Sequence, residues 1–238
     1  MKKIDVSVII PAYNEEKFIE KSIRSVKEQK TKLNYEIIVV DNNSKDRTKE
    51  IAKEQNVKVV SEKKQGVGAA RRTGTENAKG EIVVHIDADT RLYPNHLEKV
   101  KKFFEEDKEL ACLGGYFVFY DAPMWKSFFR KVLYSPLVYF AKTSSKGALG
   151  PMGNNMAFKR SFYEGTKGFN KNLKFGEDME ICKELKKFGK IKTCPNLKVK
   201  VSSRRYKLSR KFVLYSMNFI SMCTRGKPYK NDLPTLGN

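Results

Sequence analysis

The stretch GEIVVHIDADT, residues 80–90, decides how the rest of the chain is read. EIVVHID is a short apolar run rich in β-branched residues, the mark of a strand buried on both faces in a parallel sheet. It gives out in two aspartates, Asp87 and Asp89. A polar turn would account for them as well as a binding site would, so their meaning rests on what else reaches the same edge.

Outward from this strand the pattern alternates. IDVSVII (4–10), YEIIVVD (35–41) and VKVVSE (57–62) are further apolar runs. Between the first two, EKFIEKSIRSVKEQK places Phe18, Ile19, Ser22, Ile23 and Val26 at helical spacing. In NNSKDRTKEIAKEQ, Ser44 or Asp46 can cap a helix that carries Ile51 and Ala52. QGVGAARRTGTENA is a glycine-led turn into another helix. Strands alternating with helices predict right-handed βαβ units, hence an α/β fold with a mostly parallel, Rossmann-like central sheet flanked by helices.

Ligands of such sheets bind beyond the carboxyl ends of the strands. Those ends carry Pro11-Ala12-Tyr13-Asn14-Glu15, Asp41-Asn42-Asn43-Ser44, Gln65-Gly66 and Asp87-Ala88-Asp89. All four polar clusters fall on one edge. A turn needs no such coordination, whereas a nucleotide site does. No GxGxxG follows the first strand and no GxxxxGK[ST] occurs, which argues against NAD-type and P-loop enzymes.

The chain has 238 residues, 40% hydrophobic and 32% charged, with no Pro/Gly/Ser-rich linker and no internal repeat. One domain is expected over residues 1–200, with a nucleotide-binding half in 1–90 and an acceptor half in 91–200. Residues 201–238 read as a basic, helical C-terminal extension. MKKIDVSVIIPAYNEE reads as a first strand, not a signal peptide, and no apolar stretch is long enough to predict a transmembrane helix. The four cysteines lack metal-ligand spacing and read as free thiols in a reducing compartment. The net charge of +21 admits nucleic acid, an anionic membrane or a phosphate-rich substrate as partner, or lysines that merely solvate the surface.

VSVIIPAYNEE, EIIVVDNNSKDRT, GVGAARRTG, EIVVHIDADT, GNNMAFKR and FGEDMEICKEL together resemble, in order, the family 2 inverting glycosyltransferases of GT-A fold. The resemblance covers roughly residues 4–185. It implies a nucleotide-sugar donor (a UDP- or GDP-sugar), a divalent cation (Mg2+ or Mn2+) on the Asp-x-Asp element, and a carboxylate base before a late helix. Pro11, Ala12, Tyr13, Glu15, Asp41, Gly66, Arg71, Asp87, Ala88 and Asp89 then belong to the donor site. Asp89 becomes the metal ligand, with Asp87 assisting or binding ribose hydroxyls. Asp41 occupies the base-reading position. A carboxylate there accepts the N3–H of uracil, or the N1–H and amine of guanine. Arg71 matches an arginine of the family's ARN stretch and would pair with phosphate or fix Asp87, although Arg72 stands where the family has asparagine. Gly66 and Gly68 would let the backbone approach the donor.

An inverting transfer needs a base for the acceptor hydroxyl and positive charge for the departing phosphate. Glu177 and Asp178 open an amphipathic helix with Met179, Cys182 and Leu185 inward, and simple capping of that helix is the alternative role. The resemblance makes Asp178 the base and Glu177 its neighbour in the acceptor pocket. Gly153, Asn154 and Asn155 are candidates for donor-sugar or acceptor contacts. Many GT-A enzymes add a late histidine as a metal ligand, but His85 and His96 both precede the base, so diphosphate and water must complete the shell. Arg204 and Arg205 could reach the diphosphate or could simply be solvated.

MWKSFFRKVLYSPLVYFAK (124–142) and RKFVLYSMNFISMC (210–223) interleave aromatic and basic residues. On helices, Trp125, Phe128, Phe129, Val132 and Leu133 share one face, as do Phe212, Tyr215, Phe219 and Met222. Such faces pack on a core or lie in a membrane interface. The expected protein is a cytoplasmic enzyme, peripheral on the inner face of the cell membrane, with a lipid-linked or glycan acceptor. A nucleotidyltransferase would need a glycine- and lysine-rich loop where PAYNEE stands. A nucleic-acid-binding protein would not gather acidic residues on strand ends, so no nucleic acid is expected as partner.

Overall fold

The computed structural model describes residues 3–123, 150–204, 210–225 and 227–230. The aromatic stretch 124–142, residues 147–149 of the glycine-rich loop, and Arg205 lie outside the described residues.

The predicted alternation is present. Strand β1 (Val6–Ala12) leads to α1 (Ile19–Lys27), β2 (Tyr35–Asp41), α2 (Thr48–Glu54), β3 (Lys58–Ser61), α3 (Val67–Glu76) and β4 (Ile82–His85). β1, β2 and β4 are buried almost throughout, which is why they read as continuous apolar runs. The inward face of α1 is Ile19, Ser22, Ile23 and Val26, but Phe18 sits at its N-cap instead of in that stripe. The N-cap of α2 is Arg47, which makes no side-chain cap bond; Asp46, one residue earlier, accepts the Thr48 N–H at 3.0 Å.

The second half adds β5 (Arg91–Leu92), α4 (His96–Glu106), β6 (Leu110–Phe119), a 3-10 turn (Gly153–Asn155), β7 (Met156–Lys159), α5 (Arg160–Glu164), α6 (Glu177–Leu185), β8 (Lys190–Val201) and α7 (Arg210–Arg225). Among the described residues the strands form one sheet, ordered β3-β2-β1-β4-β7-β6-β8-β5. The first four are parallel. β7 then runs antiparallel to both β4 and β6. The sheet is therefore a parallel first half joined through one reversed strand to the later half. That reversal carries the loop before β7 to the same edge as the carboxyl ends of β1, β2 and β4.

One apolar layer, centred on Val8, Ile10, Ile23, Val39, Val84, Leu97 and Val100, packs α1 and α4 on one face of the sheet. The other, with Ile9, Ile38, Ala70, Phe158, Phe169 and Leu185, packs α3 and α6 on the opposite face. In α6, Met179, Cys182 and Leu185 are buried as their spacing predicts. Helix α7 lays Met222 against Met179, and Tyr215 meets Phe175 edge-on with ring centroids 5.4 Å apart. That face of the extension packs on the core. Met217 and Ile220, on the opposite side, stay exposed, Ile220 by 52%. No described helix is long and apolar enough to cross a membrane. Cys112, Cys182 and Cys194 are free thiols.

Candidate active site

Each donor-side candidate stands at a strand end or helix start. Pro11 and Ala12 close β1, Asp41 closes β2, Gly66 caps α3, and Asp87, Ala88 and Asp89 turn out of β4. Tyr13 is half-buried and Glu15 is buried, its N–H donated to Thr48 Oγ1 at 2.7 Å. Asp41 accepts the Ser44 N–H at 3.2 Å through Oδ1.

Asn42, which sequence reasoning passed over, ties the edge together. Its side chain donates to the carbonyls of Glu62 and Lys64 and accepts the Gly66 N–H at 2.7 Å, so it sets the loop into α3. The only sequence signal was its place beside Asp41.

The hub of the site is Arg71. It lies in α3 with its side chain 3% exposed. Nη2 donates to Asp87 Oδ1 at 2.8 Å, Nε to Glu177 Oε1 at 3.2 Å, and Nη1 to the Gly153 carbonyl at 2.9 Å. Of its two expected roles, fixing Asp87 is the one observed. Three of its N–H groups are thereby engaged by protein partners. A Cβ on Gly153 would come within 2.3 Å of this guanidinium, which is why the loop carries glycine there.

Asp178 and Glu177 lie in the first turn of α6 and differ sharply in setting. Glu177 is buried on Arg71. Asp178 is half-exposed, accepting the Gly153 N–H at 3.0 Å on Oδ2 and the Met179 N–H at 2.8 Å on Oδ1. Burial, together with the charge of Asp178, pushes Glu177 up to about 7 against the pull of Arg71. Burial also raises Asp178, while the Gly153 N–H and Arg71 oppose the shift. Gly176 before them has φ +81°, a conformation that favours glycine at this corner.

Two expected roles are corrected. Asn155 is buried and its Nδ2 donates to the Leu197 carbonyl at 2.8 Å, so it braces β8 and does not face a sugar. Gly68 allows close packing of another kind: a Cβ would lie 2.5 Å from the Asn170 carbonyl. It seats α3 against the loop before α6. Asn154 lies between Gly153 and Asn155 in the 3-10 turn, half-buried.

Arg204, just past β8, crosses to the donor side. Its Nε donates to Asp89 Oδ2 at 3.2 Å and its Nη2 to both oxygens of Glu15. Its guanidinium carbon lies 4.2 Å from the centroid of the Phe18 ring. Positions separated by 115 and 189 residues give no local signal of such pairing.

Among the described residues no group of three or more His, Cys, Asp or Glu side chains gathers as a metal cage. His85 and His96 are buried and held neutral, His96 lowered to about 4, in each case chiefly by burial. Neither is a metal ligand. The carboxylates of Asp89 and Asp87 nonetheless fit a magnesium-like ion, which takes one or two carboxylates and completes its shell with substrate phosphates and water.

The parallel half-sheet with its acidic edge, reversed strand and late carboxylate helix is the GT-A fold. It is shared with the mannosyltransferase PcManGT from Pyrobaculum calidifontis in complex with GDP-Man and Mn2+ (TM-score 0.74, 21% identity, 99% of this chain and 69% of that one). Glucosyl-3-phosphoglycerate synthase from Mycobacterium tuberculosis, in complex with Mn2+ and UDP-glucose, has it too (TM-score 0.67, 19% identity, 94% and 80%). Residues 7–165 match the family described as Glycosyl transferase family 2, and the chain belongs to it. Among curated relatives it is similar to the glycosyltransferase AglE of Haloferax volcanii, 42% identical over 101 residues (40% of this chain, 33% of that protein). It is also similar to the dolichol-phosphate mannosyltransferase of Pyrococcus furiosus, 35% identical over 133 residues (54% and 38%). The chain thus spans less than half of either relative.

Proposed function

We propose that the chain is the catalytic part of a glycosyltransferase that moves a sugar from a UDP- or GDP-sugar to an acceptor hydroxyl or phosphate with inversion. The observation that carries this reading is the Asp87–Arg71–Gly153–Asp178 chain. Through it, one buried guanidinium positions a donor-side carboxylate and the loop that holds an acceptor-side carboxylate.

In this reading Asp41 accepts the imino proton of the nucleobase, at the end of β2. Asp89, with Asp87, holds a divalent cation that neutralises the diphosphate as it leaves. Asp178 takes the proton of the attacking hydroxyl. It is the better base of the pair because it keeps solvent access, whereas Glu177 is engaged by Arg71. Its raised affinity for protons brings it nearer the working pH, where a general base is most effective. Residues 1–90 form the donor half and 91–200 the acceptor half, with Arg204 of the extension from 201 reaching the donor half through Glu15 and Asp89.

The acceptor we favour is lipid-linked, reached at the cytoplasmic face of a membrane. In support, from Lys186 to Lys230 the sequence contains no aspartate or glutamate. Along the same segment Met217, Ile220 and Tyr229 expose apolar surface next to Arg225, Lys227 and Lys230. Basic and apolar side chains combined in this way suit an anionic lipid surface.

The test is calorimetry against UDP-, GDP- and dTDP-sugars with Mg2+ or Mn2+, followed by turnover of Asp178→Asn. The variant should keep donor affinity and lose roughly 10²–10⁴-fold in turnover. Donor binding by none of these sugars, or wild-type turnover in the variant, would remove the reading.

A further inference from the structure

We infer that Arg204 is a resident counter-cation of the donor site: its guanidinium and a divalent cation compete for Asp89. The inference rests on the donor-site reading above and goes beyond it, since it assigns an order to binding. A divalent ion enters well only together with a nucleotide diphosphate, whose phosphates draw the arginine off the carboxylate.

The guanidinium is built into place from several directions. Its Nε holds Asp89 at 3.2 Å and its Nη2 spans the Glu15 carboxylate. The Phe18 ring closes one face at 4.2 Å. Behind it, Asp121 accepts the Ser202 hydroxyl at 2.5 Å and the Ser203 N–H at 2.6 Å, which fixes the turn from which Arg204 projects. The Arg204 N–H adds a bond to Ser202 Oγ at 3.3 Å. Glu15 and Asp89 are both buried, while the Arg204 side chain is 20% exposed and can leave.

A protein cation already sits on the carboxylate that the metal needs. A divalent ion at Asp89 must displace it or bind beside a like charge, and either weakens binding. A diphosphate reverses that balance, because guanidinium forks bind phosphate oxygens well. The arginine then becomes a second positive charge on the leaving group. Nothing covalent is required.

The experiment titrates Mn2+ into the full chain, following free Mn2+ by electron paramagnetic resonance, with and without UDP or GDP. Wild type is compared with Arg204→Gln, Arg204→Lys, and Arg204→Gln combined with Asp89→Asn. Competition for one site is a coupling of the usual size, so without nucleotide Arg204→Gln should bind Mn2+ on the order of tenfold more tightly than wild type. Arg204→Lys, which keeps the charge but not the fork, should fall between them, and the gain should vanish with Asp89→Asn. Arg204→Gln should also bind UDP or GDP more weakly than wild type. If Arg204→Gln does not fold by thermal melting, the intermediate gain of Arg204→Lys supports the inference, and no gain overturns it. Unchanged or weaker Mn2+ binding by Arg204→Gln, in a protein that still binds Mn2+ with nucleotide, overturns the inference alone. No Mn2+ or nucleotide binding in any of the proteins overturns the donor-site reading and this inference with it.

Discussion

Replacing Arg71 by methionine tests the hub directly, because side-chain volume is roughly kept while the charge and its donors are lost. The change strands the Asp87 and Glu177 carboxylates and the Gly153 carbonyl. Breaking one side of a buried ion pair typically costs about 3–5 kcal/mol. The lower end applies near neutral pH, for two reasons. Asp87 keeps 23% side-chain exposure, so water relieves it in part. Glu177, already raised to about 7, can take a proton.

The pH dependence has a definite sign. A carboxyl whose folded pKa is raised makes the protein lose stability as pH climbs from the unfolded pKa to the folded one. In the wild type that loss ends near 7, because Arg71 holds the ionised Glu177. In the variant the guanidinium that lowered the pKa is gone, so the loss continues. The gap between the two proteins should be nearly constant below about pH 7 and widen by roughly 1.4 kcal/mol per unit above it, until the variant's own Glu177 ionises. Urea unfolding from about pH 6 to about pH 9, with unchanged m-values, measures this. A constant gap across the range would refute the reasoning, as would a widening gap that survives adding Glu177→Gln.

Glu177→Gln alone should move the acid limb of the turnover profile to lower pH, because Asp178 loses a negative neighbour and keeps the charge of Arg71; an unmoved limb means that the two carboxyls do not titrate together. Gly68→Ala should destabilise by about 1–3 kcal/mol in urea unfolding, since a Cβ would lie 2.5 Å from the Asn170 carbonyl, and should leave donor affinity intact. At low salt the protein should bind anionic but not neutral vesicles in a flotation assay, and Met217→Ser with Ile220→Ser should weaken this; equal partitioning onto both vesicle types counts against a peripheral membrane enzyme.

The strands and helices of the parallel half were legible because each carries its own signal. Ile37–Val40 and Ile82–Val84 are buried on both faces, and α1 buries one stripe. Asp41, Asp87 and Asp89 followed from the rule that strand ends meet ligands. What stayed hidden depends on contacts far apart in sequence. The direction and place of β7 carry no local signal, since its pairing of Lys159 with Ile82 joins positions far apart in the chain. Asn155 read as a sugar contact from its place in a glycine-rich loop, yet its amide is absorbed by a β8 carbonyl. Phe18 had the spacing of a core residue and instead supports Arg204, because α1 starts one residue later.

The acidic edge bears on how the proposed anionic donor would meet a protein of net charge +21. Lysines spread over the surface do little at close range, since salt screens exposed charges within about 10 Å. Inside the cleft the balance is different. Glu15, Asp87, Asp89 and Glu177 are answered by two guanidiniums, one from α3 and one from the turn after β8, with Asp41 and Asp178 added nearby. Arg71 and Arg204 each answer two of these carboxylates at once. A diphosphate entering such a site meets repulsion unless positive charge arrives with it or an arginine is released toward it. Acid-rich strand ends thus suit the proposed donor if it travels with a cation. Glu177 is pushed toward 7 chiefly by its burial and then by the neighbouring charge of Asp178, so it can take up a proton where Arg71 alone does not answer the charge.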